Sequence, residues 1–459
     1  MTTALTSDAM FDSEIRTTSS DSLIVRYYRG IRLVSDRLRE TVSGDTFAPA
    51  FDYPELSDTW EEFFDVARAS WTGLDDYGDK RLTLLDLTGN PATRTGKTPA
   101  SLLMVARAVH HIRSTGEPVL LFTPSSGNKA IALRDAVGRA LRLGLAGPDE
   151  LRIVTLTPRG TLYKFRHNPL LDSDELRRLN PLMVYDGDEP AAVKRIGAEF
   201  TRVMSAPGRG PWRVWQSLNI ANYQAADCCR AFFEYEFGGD PGRRLHAHSV
   251  SSAYGLLGYQ RGLDLLADLG LPVRQPGFLL VQHSETSDMV RHFLRARTGE
   301  EPRVEYRHNS RTGLLEQDAS PHFPRTTWSA RENLEPTFYT KEPPTAPEMT
   351  GLMKAHGGSG VIVSLQECLA RYGEVRHRLR GTGCELPDDP RTLGEWSLVM
   401  ALTGVFNAVD RKLADDFDDI VVHGSGVYHR PTHEGVRPDQ VQVVTDAPHM
   451  VRLVSEATR

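Results

Sequence analysis

The sequence has few of the features that would indicate a secreted, membrane or nucleic-acid-binding protein. Its 459 residues include only four cysteines, and no two of them form a Cys-x-x-Cys pair. Because disulfide-rich and zinc-stapled domains depend on cysteine, this scarcity favours a reduced compartment. No apolar run reaches the roughly 18 residues of a membrane span, and no basic stretch followed by an apolar one opens the chain. We therefore expect a cytoplasmic protein without a membrane segment.

The charge balance and length are those of an ordinary globular protein. The formal net charge is −6 and no long basic run occurs, so nucleic acid is not expected to be a partner. Apolar residues make up 40% of the chain and charged residues 25%, which are common values. The length favours two or three domains.

Short apolar runs alternate with helical stretches over most of the chain after residue 80. "PVLLFTP" precedes "NKAIALRDAVGRALRLG", and "RLHAHSVSS" precedes "YGLLGYQRGLDLLADLG". Repeated strand–turn–helix units with continuously apolar strands predict an α/β fold with mostly parallel sheets flanked by helices. The first 80 residues have mostly helical spacing, as in "DTWEEFFDVARASW". The polar stretch 299–347 is expected to be a loop or cover outside the core.

The segment "GNPATRTGKTPA" resembles a nucleotide-binding P-loop but does not fit its spacing. In G-x-x-x-x-G-K-[ST] the first glycine would stand where Pro91 is, and the nearest glycine is Gly89. Pro91 also removes a backbone N–H that such a loop would need. The alternative role for Lys97 is covalent, because a lysine amine can form a Schiff base with pyridoxal phosphate.

Pyridoxal phosphate chemistry requires three further groups, and the sequence offers a candidate for each. Ser125, Ser126 and Asn128 follow a predicted strand and open a helix, where they can bind an amino-acid carboxylate and the cofactor ring. Residues 251–255 occupy the same kind of turn, which suits a phosphate at a helix N-terminus. Ser425 ends a buried strand and can donate a hydrogen bond to the pyridine nitrogen.

Together these segments resemble fold type II pyridoxal-phosphate enzymes, and above all threonine synthase. The resemblance covers about residues 80–430, and it includes "SSGNK", "NIANYQAADCCRAFFEYEF", "VSSAYGL", "QHSETSDMVRHFL" and "VVHGSGVYH". It implies a two-domain fold like those of threonine synthase and the tryptophan synthase β subunit, with a helical N-terminal extension. The cofactor residues that it implies are Lys97, which is also the catalytic residue, Asn128, Ser251, Ser252, Ala253, Tyr254, Gly255 and Ser425. The substrate residues that it implies are Ser125, Ser126, Gly127, Asn128, Lys164 and Asn219.

The departures from the family pattern concern the substrate. Threonine synthases hold the phosphate of phosphohomoserine partly through a Ser and an Arg, and the aligned positions here are Ile220 and Ala225. These side chains cannot neutralise a dianion. Lys164 alone supplies a point charge, without the paired hydrogen bonds that an arginine guanidinium donates. We therefore expect a lyase or synthase that eliminates or replaces a group at the β- or γ-carbon of another amino acid, such as one in secondary metabolism.

The resemblance also implies a division of the chain into three parts. We predict an N-terminal helical extension over 1–80, a large cofactor-binding domain over 81–117 plus 226–459, and a smaller mobile substrate domain over 118–225. The chain could also form a homodimer.

Several residues have competing interpretations. The fold could persist in a non-catalytic binding protein, and a nucleotide-binding enzyme remains a second alternative. His423, His429 and His433 have irregular spacing, so we predict no metal site there. His246 and His248 are expected to be structural residues of a buried strand. For Lys129 the simpler expectation is a solvated position on a helix face.

Overall fold

Parallel strands that are buried on both faces organise the chain. The computed structural model describes residues 17–39, 46–187, 189, 192–239, 242–338 and 340–457. Every residue of the strands Leu151–Pro158, Arg244–Ser249 and Asp419–Gly424 is buried. Such strands read as continuous apolar runs because helices cover both faces of the sheet.

Strands and helices alternate along the chain as the apolar pattern predicts. The strands are β1 (Thr17–Ser19), β2 (Ser70–Tyr77), β3 (Lys80–Asp86), β4 (Val119–Pro124), β5 (Leu151–Pro158), β6 (Leu182–Tyr185), β7 (Arg213–Gln216), β8 (Arg244–Ser249), β9 (Gly277–His283), β10 (Arg307–Asn309), β11 (Leu314–Glu316), β12 (Thr326–Thr327), β13 (Gly358–Val363), β14 (Asp419–Gly424) and β15 (Gln442–Val444). The helices are α1 (Leu23–Arg26), α2 (Tyr28–Arg39), α3 (Asp58–Phe64), α4 (Thr98–Thr115), α5 (Asn128–Arg142), α6 (Asp174–Leu179), α7 (Ala192–Met204), α8 (Ala221–Asp227), α9 (Cys229–Phe237), α10 (Tyr254–Asp268), α11 (Asp288–Thr298), α12 (Ala346–His356), α13 (Leu365–Arg378), α14 (Ser397–Asp410) and α15 (Ala447–Ala457). Among these described helices, none is both long and apolar enough to cross a membrane.

The larger sheet has the strand order β1-β2-β3-β14-β8-β9-β13. The five strands from β3 to β13 are parallel, and β1 and β2 join antiparallel at one edge. Because β3, β14 and β8 are parallel neighbours, the turns that follow them lie at one edge of the sheet. In parallel α/β sheets, ligands bind outside this carboxyl edge.

The smaller sheet has the order β15-β6-β5-β4-β7, and all its described pairs are parallel. Helices α7 and α15 pack against it through an apolar cluster that includes Phe122, Phe200 and Met450. The strands of the smaller sheet lie between residues 119 and 216, except for β15 at the C-terminus. There β15 pairs with β6, so residues 442–457 associate with the smaller sheet and not with the larger one.

The N-terminal part of the chain differs from the expected helical extension. Helix α3 ends at Phe64, and Ser70–Tyr77 forms β2, which pairs with β3 across a turn at Gly78. The left-handed φ of +62° at Gly78 suits glycine and allows this reversal. Helices α2 and α3 pack into the main core, where Ile31 and Phe63 are fully buried. The extension is thus part of the sheet and core, and residues 1–16 lie outside the described residues.

The polar stretch 299–347 forms a cover, as expected. It contains the short antiparallel sheet β10-β11-β12 and then runs to the start of α12. Thr337, Phe338, Thr340 and Pro344 of this segment line the cavity that is described below. We call residues 334–338 and 340–345 the cover segment.

Close packing of α10 against the α8–α9 region depends on glycine. A Cβ at Gly262 would lie 2.4 Å from the carbonyl oxygen of Cys228 and 2.8 Å from Cβ of Ala231. Because the first of these neighbours is backbone, the helices would have to separate. By contrast, a Cβ at Gly373 of α13 meets nothing within 4 Å.

We expect Gly262→Ala to lower the free energy of unfolding by about 1–3 kcal/mol, since overpacking outweighs the better helix propensity of alanine. The matched variant Gly373→Ala should raise it by up to about 1 kcal/mol. Urea unfolding followed by circular dichroism measures both. Equal stability of Gly262→Ala and the parent would contradict the helix packing described here.

Candidate active site

A cavity of about 340 Å³ lies at the carboxyl edges of the two sheets, under the cover segment. The residues that line it are mostly hydroxyl-bearing, amide or basic. They are Thr95, Lys97, Ser125, Ser126, Asn128, Lys129, Lys194, Leu218, Tyr223, His248, Ser249, Val250, Ser251, Ser252, Ala253, Tyr254, Gly255, Thr337, Phe338, Thr340, Pro344, Ser397 and Ser425. None of these described lining residues is acidic.

The structure brings together most of the residues that the sequence predicts for the site. Those that line the cavity are Lys97, Ser125, Ser126, Asn128, Ser251, Ser252, Ala253, Tyr254, Gly255 and Ser425. Gly127, Lys164 and Asn219 do not line it. Asn219 is exposed, and its side-chain oxygen accepts a hydrogen bond from the Ala221 N–H at 2.9 Å, at the start of α8.

Lys97 lies at the N-terminal end of α4, on a turn that is fastened to the end of β14. The Gly96 N–H donates a hydrogen bond to the Ser425 carbonyl oxygen at 2.8 Å, and Thr95 forms a bridge with Gly426. The two turns lie so close together that a Cβ at Gly96 would be 3.5 Å from the Ser425 Cα. The contact places Lys97 beside Ser425, although the two are far apart in sequence.

The environment of Lys97 lowers the pKa of its amine. Burial lowers the pKa of Lys97 and the charge of Arg230 acts in the same direction, while Asp227 and Glu395 oppose the shift. Its Nζ lies 5.6 Å from the centroid of the Tyr223 ring. A lysine with a lowered pKa in a cavity is a nucleophile or base candidate.

The Ser125–Asn128 loop connects β4 to α5. Gly127 has a φ of +152°, and a Cβ there would lie 3.1 Å from both Lys164 Cδ and Thr337 Cγ2. The Ser126 hydroxyl donates to the Thr337 carbonyl at 3.3 Å. The loop is therefore packed between the cover segment and the smaller sheet, with the first N–H groups of α5 at the cavity.

Asn128 is held by a glutamate that the sequence analysis did not identify. Its Nδ2 donates to Glu395 Oε2 at 2.7 Å. Its Oδ1 is buried, and it has no hydrogen-bond partner among the described residues. A buried amide oxygen without a partner is costly unless a ligand satisfies it.

The turn from β8 to α10 contributes Ser251–Gly255. Ala253 adopts a left-handed φ of +50°, and α10 begins at Tyr254. A Cβ at Gly255 would lie 2.5 Å from Nη2 of Arg230. A side chain at this position would therefore displace the buried Arg230 guanidinium from the turn.

Arg230 is fixed beneath this turn by a chain of buried polar groups. It pairs with Asp227 at 2.7 Å, and its Nη1 donates to His423 Nδ1 at 3.1 Å. Because arginine only donates, His423 accepts at Nδ1 and carries its proton on Nε2, which faces His246 Nδ1 at 2.8 Å. The histidines thus act as structural groups of buried strands, as expected. No metal-holding cluster of His, Cys, Asp and Glu occurs in the described parts of the chain.

Lys164 lies in a fully buried ion triad with Glu335 and Glu395, and it does not line the cavity. Its Nζ contacts Glu335 Oε1 at 2.5 Å and Glu395 Oε2 at 2.9 Å. The sequence predicted a phosphate contact for Lys164, but two carboxylates already compensate its charge. The sequence analysis did not identify three charged residues of this region, which are Glu335, Glu395 and Arg230. Only Arg230 lay within a segment that the resemblance included.

Electrostatics within the triad favour a charged lysine. Burial alone would lower the pKa of Lys164, but the two glutamates raise it well above its usual value. Burial opposes ionisation of Glu395, yet Lys164 and hydrogen bonds from Ser397 and Asn128 hold its pKa below normal. Burial and the charge of Glu395 raise the pKa of Glu335. Glu395, whose pKa is held low, also orients the Asn128 amide by accepting its hydrogen bond.

With the fold and the site described, known proteins provide a comparison. A model described as "Family of unknown function (DUF6002)" matches residues 19–458. The chain belongs to this family. No curated protein sequence matches this DUF6002 chain.

Two solved structures have a similar fold over most of their length. Threonine synthase from Escherichia coli has a TM-score of 0.52 and 14% sequence identity, over 92% of this chain and 96% of its own. Threonine synthase from yeast has a TM-score of 0.52 and 12% identity, over 95% of this chain and 89% of its own. At such identities the likeness establishes the fold alone, and it confirms the predicted α/β class with parallel sheets flanked by helices.

The ion triad makes a stability prediction. Lys164→Met leaves two buried carboxylates without their cation, so the free energy of unfolding should fall by about 3–5 kcal/mol. The control is Lys341→Met, which removes an exposed lysine whose Nζ contacts the Glu285 carbonyl oxygen and lies 3.2 Å from its carboxylate and should cost about 1 kcal/mol or less. Urea titration compares the two variants. Similar small losses would show that Lys164 is not the central cation of the triad.

Proposed function

We propose that this DUF6002 protein is a pyridoxal-phosphate-dependent enzyme that acts on an amino acid, and that Lys97 carries the cofactor. The observation on which the proposal depends is the position of Lys97. A lysine with a lowered pKa lines the same cavity as three polar turns that follow β4, β8 and β14. The threonine synthases of similar fold support the same type of enzyme.

Two features of the cavity support the fit of pyridoxal phosphate. Its volume of about 340 Å³ is within the usual range of ligand sites, and Asn128 Oδ1 is a buried polar atom that lacks a partner among the described residues. The turn at 251–255 begins α10, whose N–H groups suit a phosphate. Ser425 lies beside Lys97, where a neutral hydroxyl would face the pyridine nitrogen, and Asn128 would face the ring oxygen.

When bound, the cofactor supplies an electron sink that makes the α-proton of an amino acid acidic. The residues of this chain bind and orient the substrate. Ser125, Ser126 and the first N–H groups of α5 would hold the α-carboxylate. The Lys97 amine would accept the α-proton and return it, since it lines the cavity and its pKa is lowered, as suits a general base. Phe338, in the cover segment, would exclude water.

The reaction that we propose is elimination or replacement at the β- or γ-carbon, as a lyase or synthase of amino-acid biosynthesis. We do not propose phosphohomoserine as the substrate. Ile220 and Ala225 are uncharged, Ala225 is buried in α8, and Lys164 is neutralised by Glu335 and Glu395. A specialised amino acid, as in secondary metabolism, fits these departures better.

Lys97→Ala should abolish cofactor uptake. The purified protein with added pyridoxal phosphate should show the visible absorbance of the bound cofactor, and borohydride followed by peptide mass spectrometry should place the label on Lys97. Lys354→Ala, which removes an exposed lysine of α12, is the matched control and should retain both signals.

An unchanged spectrum in Lys97→Ala would overturn the assignment of the lysine. A parent protein that shows no cofactor absorbance would favour a non-catalytic relative of the fold. Stabilisation by magnesium nucleotide, with no effect of pyridoxal phosphate, would favour the nucleotide-binding alternative.

A further inference from the structure

One buried histidine of the cavity has no part in the chemistry described so far. His246 and His248 lie on the same face of β8, because side chains alternate along a strand. His246 is completely buried and pairs with His423, which is the structural role that the sequence predicted for both histidines of β8. His248 is only 4% exposed, yet it lines the cavity. It stands three residues before the turn at 251–255.

The ring of His248 belongs to a row of buried polar side chains that ends at this turn. It stacks on the ring of His423, with centroids 5.3 Å apart and planes inclined by 27°. His423 Nδ1 accepts a hydrogen bond from Arg230, and the Arg230 guanidinium lies against Gly255 of the turn. His248 is therefore joined to the turn both by the chain and by packed side chains.

The described residues leave the hydrogen-bonding capacity of His248 unused. Its Nδ1 is buried and has no hydrogen-bond partner among them. His423 differs, because Arg230 and His246 are partners of its two ring nitrogens. A buried polar side chain without a partner is the exception in folded proteins, and a ligand is one of the groups that can satisfy it.

The surroundings of His248 keep its ring neutral and determine its tautomer. Burial lowers the pKa of His248 well below its usual value, and the charges of Arg230 and Lys97 act in the same direction. A neutral imidazole has one N–H donor and one acceptor nitrogen. Because a buried N–H without an acceptor is rarer than an unused acceptor, we assign the lone pair to Nδ1. The proton is then on Nε2, which is the ring nitrogen that remains for the cavity.

We propose that His248 donates a hydrogen bond from Nε2 to a phosphate group bound at the turn of residues 251–255. This inference rests on the proposed function for the identity of the ligand, and it deepens that function by adding a side-chain donor to the phosphate site. The first N–H groups of α10 and the hydroxyls of Ser251 and Ser252 supply the other donors. A neutral N–H also complements a phosphate oxygen without placing a further cation beside Lys97.

The test compares pyridoxamine phosphate with pyridoxamine by calorimetry on the full-length protein, after removal of pyridoxal phosphate. The two molecules differ only in the phosphate group, and neither has the aldehyde that would react with Lys97. Their affinity ratio therefore measures recognition of phosphate. His248→Leu should weaken binding of pyridoxamine phosphate about 10- to 100-fold, as expected for a charge-assisted hydrogen bond, and leave binding of pyridoxamine within about twofold.

Two variants and one measurement on the parent separate the hydrogen bond from packing. His248→Gln keeps a side-chain N–H and should retain part of the preference for phosphate. His292→Leu changes a histidine of α11 that does not line the cavity, and it should leave the preference unchanged. In the parent protein labelled with ¹⁵N-histidine, the NMR signals of His248 should show the proton on Nε2 and should shift when inorganic phosphate is added.

Each possible result decides the inference. An equal loss of affinity for both molecules in His248→Leu, or no loss at all, contradicts it while the proposed function stands. A proton on Nδ1 of His248 in the parent also contradicts it.

The inorganic phosphate measurements separate this inference from the proposed function. If the parent takes up no pyridoxal phosphate, but inorganic phosphate raises the melting temperature of the parent and not of His248→Leu, the proposed function fails and the phosphate contact stands. If the parent binds neither pyridoxal phosphate nor inorganic phosphate, both fail.

Discussion

The buried lysine between two glutamates is the interaction on which the arrangement of the cavity depends. Lys164 follows β5 of the smaller sheet, Glu335 belongs to the cover segment, and Glu395 precedes α14 on the larger sheet. One ammonium thus joins three parts of the chain whose packing closes the cavity. Because all three side chains are removed from water, Lys164 and hydrogen bonds from Thr337 and Ser397 hold the two glutamates in place of solvent.

The same triad distinguishes a structural lysine from the lysines that line the cavity. Glu395 orients the Asn128 amide, and the Gly127 backbone packs on the Lys164 stem. Lys164 is thereby held in a structural ion triad, whereas Lys97 and Lys129 line the cavity and have lowered pKa values. The difference is electrostatic: the two glutamates raise the pKa of Lys164, whereas burial lowers the pKa of Lys97 and of Lys129.

Much of the architecture was readable from apolar periodicity. The runs that were expected to be strands and helices correspond to β4 with α5, β8 with α10, and β14. The helical pattern at 58–71 was only partly followed. The helix ends at Phe64, and Ser70 and Trp71 at the end of this pattern belong to β2, because Gly78 reverses the chain and β3 offers a pairing edge. The C-terminal β15 was assigned to the larger domain, although it pairs with β6, since sequence order does not reveal which edge strand a short segment will join.

The sequence by itself determined which turns carry polar side chains after buried strands, and so it identified Lys97, Asn128, the turn at 251–255 and Ser425. These features are local, because an apolar run and the residues that end it are neighbours in the chain. Only the tertiary structure decided the partners of the charges. Lys164 meets glutamates 171 and 231 residues away, while Lys129, beside a predicted carboxylate loop, faces the cavity. Charge compensation acts through space, and no periodicity of the sequence records it.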